Sequence, residues 1–141
     1  MEQTVTAFLD TNVLVYQVDS KAPAKQRRAQ TLTALLYQQN EAVISTQVLQ
    51  EFYNTATGKL RIPSHVSEGL ARSFTQGRVV QLVPSLLFAA MRRHASGEFS
   101  FWDALIVEAA LSAGCKTLYS EDMQHGRVID GMTLENPFVG L

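Results

Sequence analysis

One cysteine, four prolines and three histidines are all that this 141-residue chain offers of the residue types that build covalent or zinc-bound scaffolds or stiff linkers. Cys115 has no partner for an intrachain disulfide and lies between apolar neighbours, so it is read as a small buried structural thiol. His65, His94 and His125 are scattered, and no Cys/His pair stands at structural-zinc spacing. The formal net charge of -1 gives no overall pull towards nucleic acid or membrane, so any polyanion contact has to come from local patches. No apolar run approaches the roughly 20 residues that span a bilayer, and Met1-Glu2-Gln3-Thr4 lacks the basic start and apolar core of a signal peptide. A cytoplasmic protein without a membrane partner is expected. Internal repeats, low-complexity stretches and linkers are also missing. With 46% hydrophobic and 18% charged residues, the composition is that of a globular protein of one core, a single domain over 1–141.

What is present is an alternation. Val5 to Leu9 is a short apolar strand ending on Asp10, with the turn and capping types Thr11-Asn12 before a short helix over 13–16. Ala29, Leu32, Leu35 and Leu36 recur at helical intervals over 24–39. Ala42-Val43-Ile44 is a second strand running into Ser45-Thr46 and a helix over 47–59, expected to bury Val48, Leu49, Phe52 and Tyr53. A helix over 64–74, a strand over 79–83, and a helix from Pro84 with Leu86, Leu87, Ala90 and Met91 on its apolar side follow. Ser100 caps a helix running to Gly114, Lys116 to Tyr119 form a fourth strand, and Asp130-Gly131 turns the chain into a last strand over 132–134. Strands alternating with helices over short connections predict an α/β sandwich on a parallel sheet.

Four acids fall by one rule: Asp10 ends the first strand, Glu51 lies in the first turns after the second, Asp103 starts a helix and Asp122 follows the fourth strand. In a parallel sheet these positions share the carboxyl edge, where ligands bind. Two charges 4 Å apart repel by roughly 4 kcal/mol at an effective dielectric of 20, so clustered carboxylates call for a counter-charge. Oxygen ligands without Cys/His spacing point to Mg²⁺ or Mn²⁺. Each acid also has a purely structural reading: Asp103 as the acid of a capping box, Asp10 and Asp122 as turn residues, Glu51 as an exposed helical acid. Helix polarity is expected to keep Asp103 ionised. Lys25, Arg27, Arg28, Lys59, Arg61, Arg92 and Arg93 are candidates for phosphate contact or for solvated helix faces. Trp102 is read as a core or interface residue with base stacking as the alternative. Glu108 has no assigned role.

The strings Phe8-Leu9-Asp10-Thr11-Asn12-Val13-Leu14, Ser45-Thr46-Gln47-Val48-Leu49-Gln50-Glu51-Phe52, Phe101-Trp102-Asp103-Ala104-Leu105-Ile106 and Leu118-Tyr119-Ser120-Glu121-Asp122-Met123-Gln124 together resemble a PIN-domain nuclease, more narrowly the VapC-like ribonuclease toxins of toxin-antitoxin pairs. The resemblance spans essentially the whole chain, in order and spacing. It implies a PIN-like three-layer sandwich with a mostly parallel sheet of four to five strands. It further implies a metal-dependent endoribonuclease in which Asp10, Asp103 and Asp122 bind Mg²⁺ or Mn²⁺, Glu51 orients or deprotonates water, and Asn12 and Ser120 support the acids, with Glu121 a possible accessory. A cognate antitoxin and a homodimer are the implied partners; the apolar residues of the helices between Val13 and Ile62 are then candidates for partner-binding surface. A non-catalytic PIN-like RNA-binding module and an aspartate-dependent phosphatase are the alternatives; the phosphatase usually wants an acid where Asn12 stands.

Overall fold

The structure is a computed structural model that describes residues 5–141; the reading of Met1 to Thr4 lies outside them. Six strands form one sheet in the order β3-β2-β1-β4-β6-β5: β1 (Ala7–Leu9), β2 (Ala42–Ser45), β3 (Arg78–Val80), β4 (Thr117–Tyr119), β5 (Val128–Ile129) and β6 (Met132–Glu135). Helices α1 (Thr11–Tyr16), α2 (Pro23–Gln38), α3 (Thr46–Gly58), α4 (Ser64–Phe74), α5 (Pro84–Ala95) and α6 (Phe101–Ser112) flank it. All pairings are parallel except β5 with β6. The expected mostly parallel α/β sandwich is therefore present, with one strand more than expected. The extra strand is β5, two residues long and too short to show a period. It closes a hairpin at Asp130-Gly131, where both residues have positive φ (48° and 85°), as a primed turn between antiparallel strands requires. The third strand is displaced from the expected 79–83: pairing with β2 ends at Val80.

β1 is central, in register with β2 on one side and β4 on the other. The chain builds outward from β1 to β2 and β3, then crosses back to β4. The loops leaving β1 and β4 therefore part in opposite directions, which opens a crevice at their carboxyl ends. Phe8, Leu9, Val43, Ile44 and Leu118 hold the sheet within the core, with Val13, Leu14, Val48 and Phe52 from the helices packed to full burial. Phe52 meets Phe74 edge-on at 4.9 Å. In α6 the run Ala104, Leu105, Ile106, Val107, Ala109, Ala110 is buried almost all round, so this helix is a core element that brings Asp103 to the crevice at its first turn. Cys115 is buried, and burial pushes its thiol pKa up, in keeping with a structural thiol.

Two apolar positions depart from expectation. Tyr53 on α3 and Met91 on α5 are exposed, because the neighbouring helices cover the faces carrying Phe52 and Ala90. The Ser100 hydroxyl accepts from the Asp103 N–H at 3.1 Å, so Ser100 caps α6 as the sequence predicts. Ser100→Ala is expected to cost about 1 kcal/mol, read from the urea midpoint.

Candidate active site at the carboxyl edge of the sheet

Asp10 follows β1 and is itself the N-cap of α1, one residue ahead of the Thr11-Asn12 pair expected to cap it. Its Oδ1 accepts from the Thr11 N–H at 2.7 Å and its Oδ2 from the Ser120 hydroxyl at 2.7 Å. Only 5% of Asp10 is exposed. Burial raises its pKa to about 7 against the lowering effect of these two hydrogen bonds, and the negative charges of Glu51 and Asp103 add to the rise.

Glu51 is reached from the same turn: the Thr11 hydroxyl donates to its Oε1 at 2.8 Å. Asn12 serves the opposite wall, its Nδ2 donating to Asp122 Oδ2 at 3.1 Å and its Oδ1 accepting from the Glu121 N–H at 3.2 Å. Ser120, fully buried, also accepts from the Asp122 N–H at 3.2 Å. Three consecutive residues, Asp10, Thr11 and Asn12, thus tie the loop after β4 to the first turns of α3. Asp103 is half-buried at the start of α6. Burial and the charge of Asp122 raise its pKa while its hydrogen bond with Ser100 lowers it. Desolvation is the largest of these influences, and it acts against the helix polarity expected to favour the ionised form.

Asp10, Glu51, Asp103 and Asp122 line one open cleft of about 330 Å³, together with Asn12, Glu121, Gln47, Trp102 and Lys59. Glu121 is turned partly away: its carboxylate pairs with Lys25 and accepts from the Tyr16 hydroxyl at 2.8 Å. Of the other cations considered, Arg93 pairs with Glu108 at 2.7 Å and reaches Asp130 at 3.4 Å, which gives Glu108 a structural role bracing α5 against α6. Arg27 and Arg28 border a separate hollow with Leu141. Lys59 lines the cleft and has no ion pair among the described residues.

The lining offers carboxylate, amide and hydroxyl oxygens and neither His nor Cys, the donor set of a hard cation. Gln47 fits the same description. Its Nε2 donates to the Trp102 carbonyl at 3.2 Å, and its buried Oε1 has no partner, leaving an acceptor beside the cleft for a water or hydroxyl donor. Among the described residues, however, no three His, Cys, Asp or Glu side chains are grouped closely enough to hold one ion. In this arrangement Asp10 is held by Thr11 and Ser120, and Asp122 leans on Asn12. The residues fit a hydrated hard cation held by carboxylates, the habit of Mg²⁺.

The PIN domain family's sequence model matches residues 7–130. The chain belongs to the PIN domain family. Its solved structural neighbours have the same fold. A chain of the toxin-antitoxin complex from Klebsiella pneumoniae is 16% identical, with a TM-score of 0.68 over 94% of this chain and 98% of that one. A chain of VapBC2 from Rickettsia felis, bound to a fragment of its promoter DNA, is 19% identical, with a TM-score of 0.67 over the same shares. VapC20 of Mycobacterium tuberculosis, a toxin that cleaves the sarcin-ricin loop, is 21% identical, with a TM-score of 0.58 over 80% of this chain and 87% of that one. No curated protein matches the sequence significantly. The PIN domain has no helix, among the described residues, long and apolar enough to cross a membrane.

Sequence reasoning missed Gln47 in this PIN domain's site. Gln47 lines the cleft and was legible as the position four residues before Glu51 on the same face of α3; Lys59, the C-cap of α3 and already a candidate for phosphate contact, lines the cleft as well. Trp102 is 62% exposed on the rim, where a tryptophan in an apolar helix start would ordinarily be expected inside.

Proposed function

We propose that this PIN domain is a divalent-metal-dependent endoribonuclease, the toxin of a toxin-antitoxin pair. The observation that carries the reading is the meeting of Asp10, Glu51, Asp103 and Asp122 in one cleft, from four separated parts of the chain. The mutual effect of these charges on Asp10 and Asp103 supports it. VapC20, of the same fold, is a toxin that cleaves the sarcin-ricin loop.

Asp10, Asp103 and Asp122 are the residues proposed to hold Mg²⁺ or Mn²⁺. When bound, such an ion supplies polarisation of the phosphodiester and a lowered water pKa. The chain's own contribution is positional. Ser120 and Thr11 fix both oxygens of Asp10, and Asn12 fixes Asp122. Thr11 occupies Glu51 Oε1, leaving Oε2 to orient a water and accept its proton during hydrolysis. Lys59 is placed to meet a phosphate from the open side of the cleft.

The neighbours from Klebsiella pneumoniae and Rickettsia felis are toxin-antitoxin assemblies, which supports an antitoxin as the natural partner here. Among the helices between Val13 and Ile62, Leu35 and Tyr53 are the exposed large apolar side chains available to it or to a second copy in the proposed homodimer. Mixed single-stranded RNA should be cut with Mg²⁺ or Mn²⁺ and remain intact with EDTA. Cleavage unaffected by EDTA, or a covalent phospho-aspartate in place of cleavage, would overturn the reading.

A further inference from the structure

We propose that Trp102 is the base-stacking platform of the substrate site, so that the cleft takes an unpaired RNA base beside the scissile phosphate; this rests on the ribonuclease reading. The indole is the most exposed large hydrophobic side chain of the chain's described residues together with Val128, at 62%. It lines the same cleft as the four acids and immediately precedes Asp103.

Its main chain is not loose. The Trp102 carbonyl accepts from the buried Gln47 side chain at 3.2 Å, and the residue lies in the first turn of α6, whose body is core. Phe101 meets the indole edge-on, with centroids 5.2 Å apart and planes at 66°. A single T-shaped neighbour covers at most one face of the indole and leaves the other to a partner. Lys25 and Arg127 lie over other rings, Tyr16, Phe138 and Phe99, and no cation covers Trp102 among the described residues. An exposed ring with an anchored backbone loses little freedom on binding a flat ligand.

Charge explains why such a platform is needed. The cleft presents Asp10, Asp19, Glu51, Asp103, Glu121 and Asp122 against Lys59, with Lys25 already engaged by Glu121. Phosphate attraction alone is therefore weak at this site. A nucleobase is neutral and carries a π-face, so stacking supplies affinity that the acids do not oppose. Because Trp102 neighbours Asp103, a base stacked on it sets its own phosphodiester beside the acids. Bases within a duplex are already stacked, so the platform selects single-stranded RNA, loops or bulges.

Trp102 is the chain's single tryptophan, so its emission reports this site alone. A single-stranded oligoribonucleotide titrated into the full protein in EDTA should quench that emission saturably, and the same sequence as a perfect duplex should not. Trp102→Ala should weaken RNA binding, followed by anisotropy of labelled RNA, roughly 5- to 150-fold, and Trp102→Phe should recover most of it. In the metal-supplemented assay Trp102→Ala should raise KM more than it lowers kcat. Wild-type affinity and KM in a folded Trp102→Ala protein would overturn the inference while leaving the ribonuclease reading intact. Emission that changes with protein concentration and not with RNA would overturn it in favour of an interface between copies. Absence of RNA cleavage by the wild-type protein under every metal condition would remove the ribonuclease reading and this inference together.

Discussion

Asp10→Asn is expected to melt at a higher temperature than the wild-type protein in EDTA at pH 8, and to have lost metal-dependent RNA cleavage. The two effects share one cause. Burial raises the Asp10 pKa to about 7 in the folded protein, against 3.8 for an unperturbed aspartate. Below about pH 4 the carboxyl is protonated whether the chain is folded or not, and folding loses nothing. As pH rises through the window between the two values, the unfolded chain releases the proton and the folded chain retains it, so stability falls. Above pH 7 the loss is complete, on the order of 4 kcal/mol, since each pKa unit is worth about 1.4 kcal/mol.

Asparagine keeps an oxygen for the Thr11 N–H and offers an amide that donates to the Ser120 hydroxyl, so it preserves the shape without the buried charge. A gain of several degrees is therefore expected at pH 8 and little change at pH 4, measured by calorimetry in EDTA. Cleavage should drop to background because the variant cannot present an anion to the cation. A wild-type protein whose stability in EDTA does not fall between pH 4 and 7 would contradict the assigned burial of the Asp10 charge.

Ser120→Ala should cut the rate of RNA cleavage by about 10- to 100-fold and move the acid limb of its pH profile to higher pH by about one unit. Ser120 is fully buried, donates a hydrogen bond to Asp10 and accepts from the Asp122 N–H and, at 3.5 Å, from the Asn12 amide. Its hydrogen bond favours the ionised form of Asp10, and its removal raises a pKa that is already high. Two acids lose their shared anchor at once, so the effect exceeds that of one deleted hydroxyl. The pH shift distinguishes this from simple loosening of the fold, which would lower the rate at all pH values equally. It is to be read with Mg²⁺ below saturation, where the ionisation of Asp10 limits binding.

The four acids were legible because each sits directly after a strand or at a helix start, and a parallel sheet gathers those places on one edge whatever the distance along the chain. The strand order that puts β1 beside β4 was not legible. It depends on which side of the sheet the chain returns to after β3, and no local pattern records that. For the same reason the raised pKa of Asp10 escaped sequence reasoning: desolvation belongs to the assembled core around Phe8 and Leu9, not to the string Asp10-Thr11-Asn12. Asp103 shows the converse. Its cap by Ser100 could be read from spacing, but its ionisation follows burial and the charge of Asp122, which arrive from elsewhere. Lys25 and Arg93 looked available for phosphates and are instead spent on Glu121 and on Glu108, partners 96 and 15 residues away.

The central claim is that these acids form one cation site. Titration of the full protein with Mn²⁺, followed by the loss of the free-ion electron paramagnetic resonance signal, tests it most directly. Saturable binding of one or two ions by the wild-type protein, greatly weakened in both Asp10→Asn and Asp103→Asn, is the predicted result. No saturable binding, or equal binding by wild type and both variants, would contradict it.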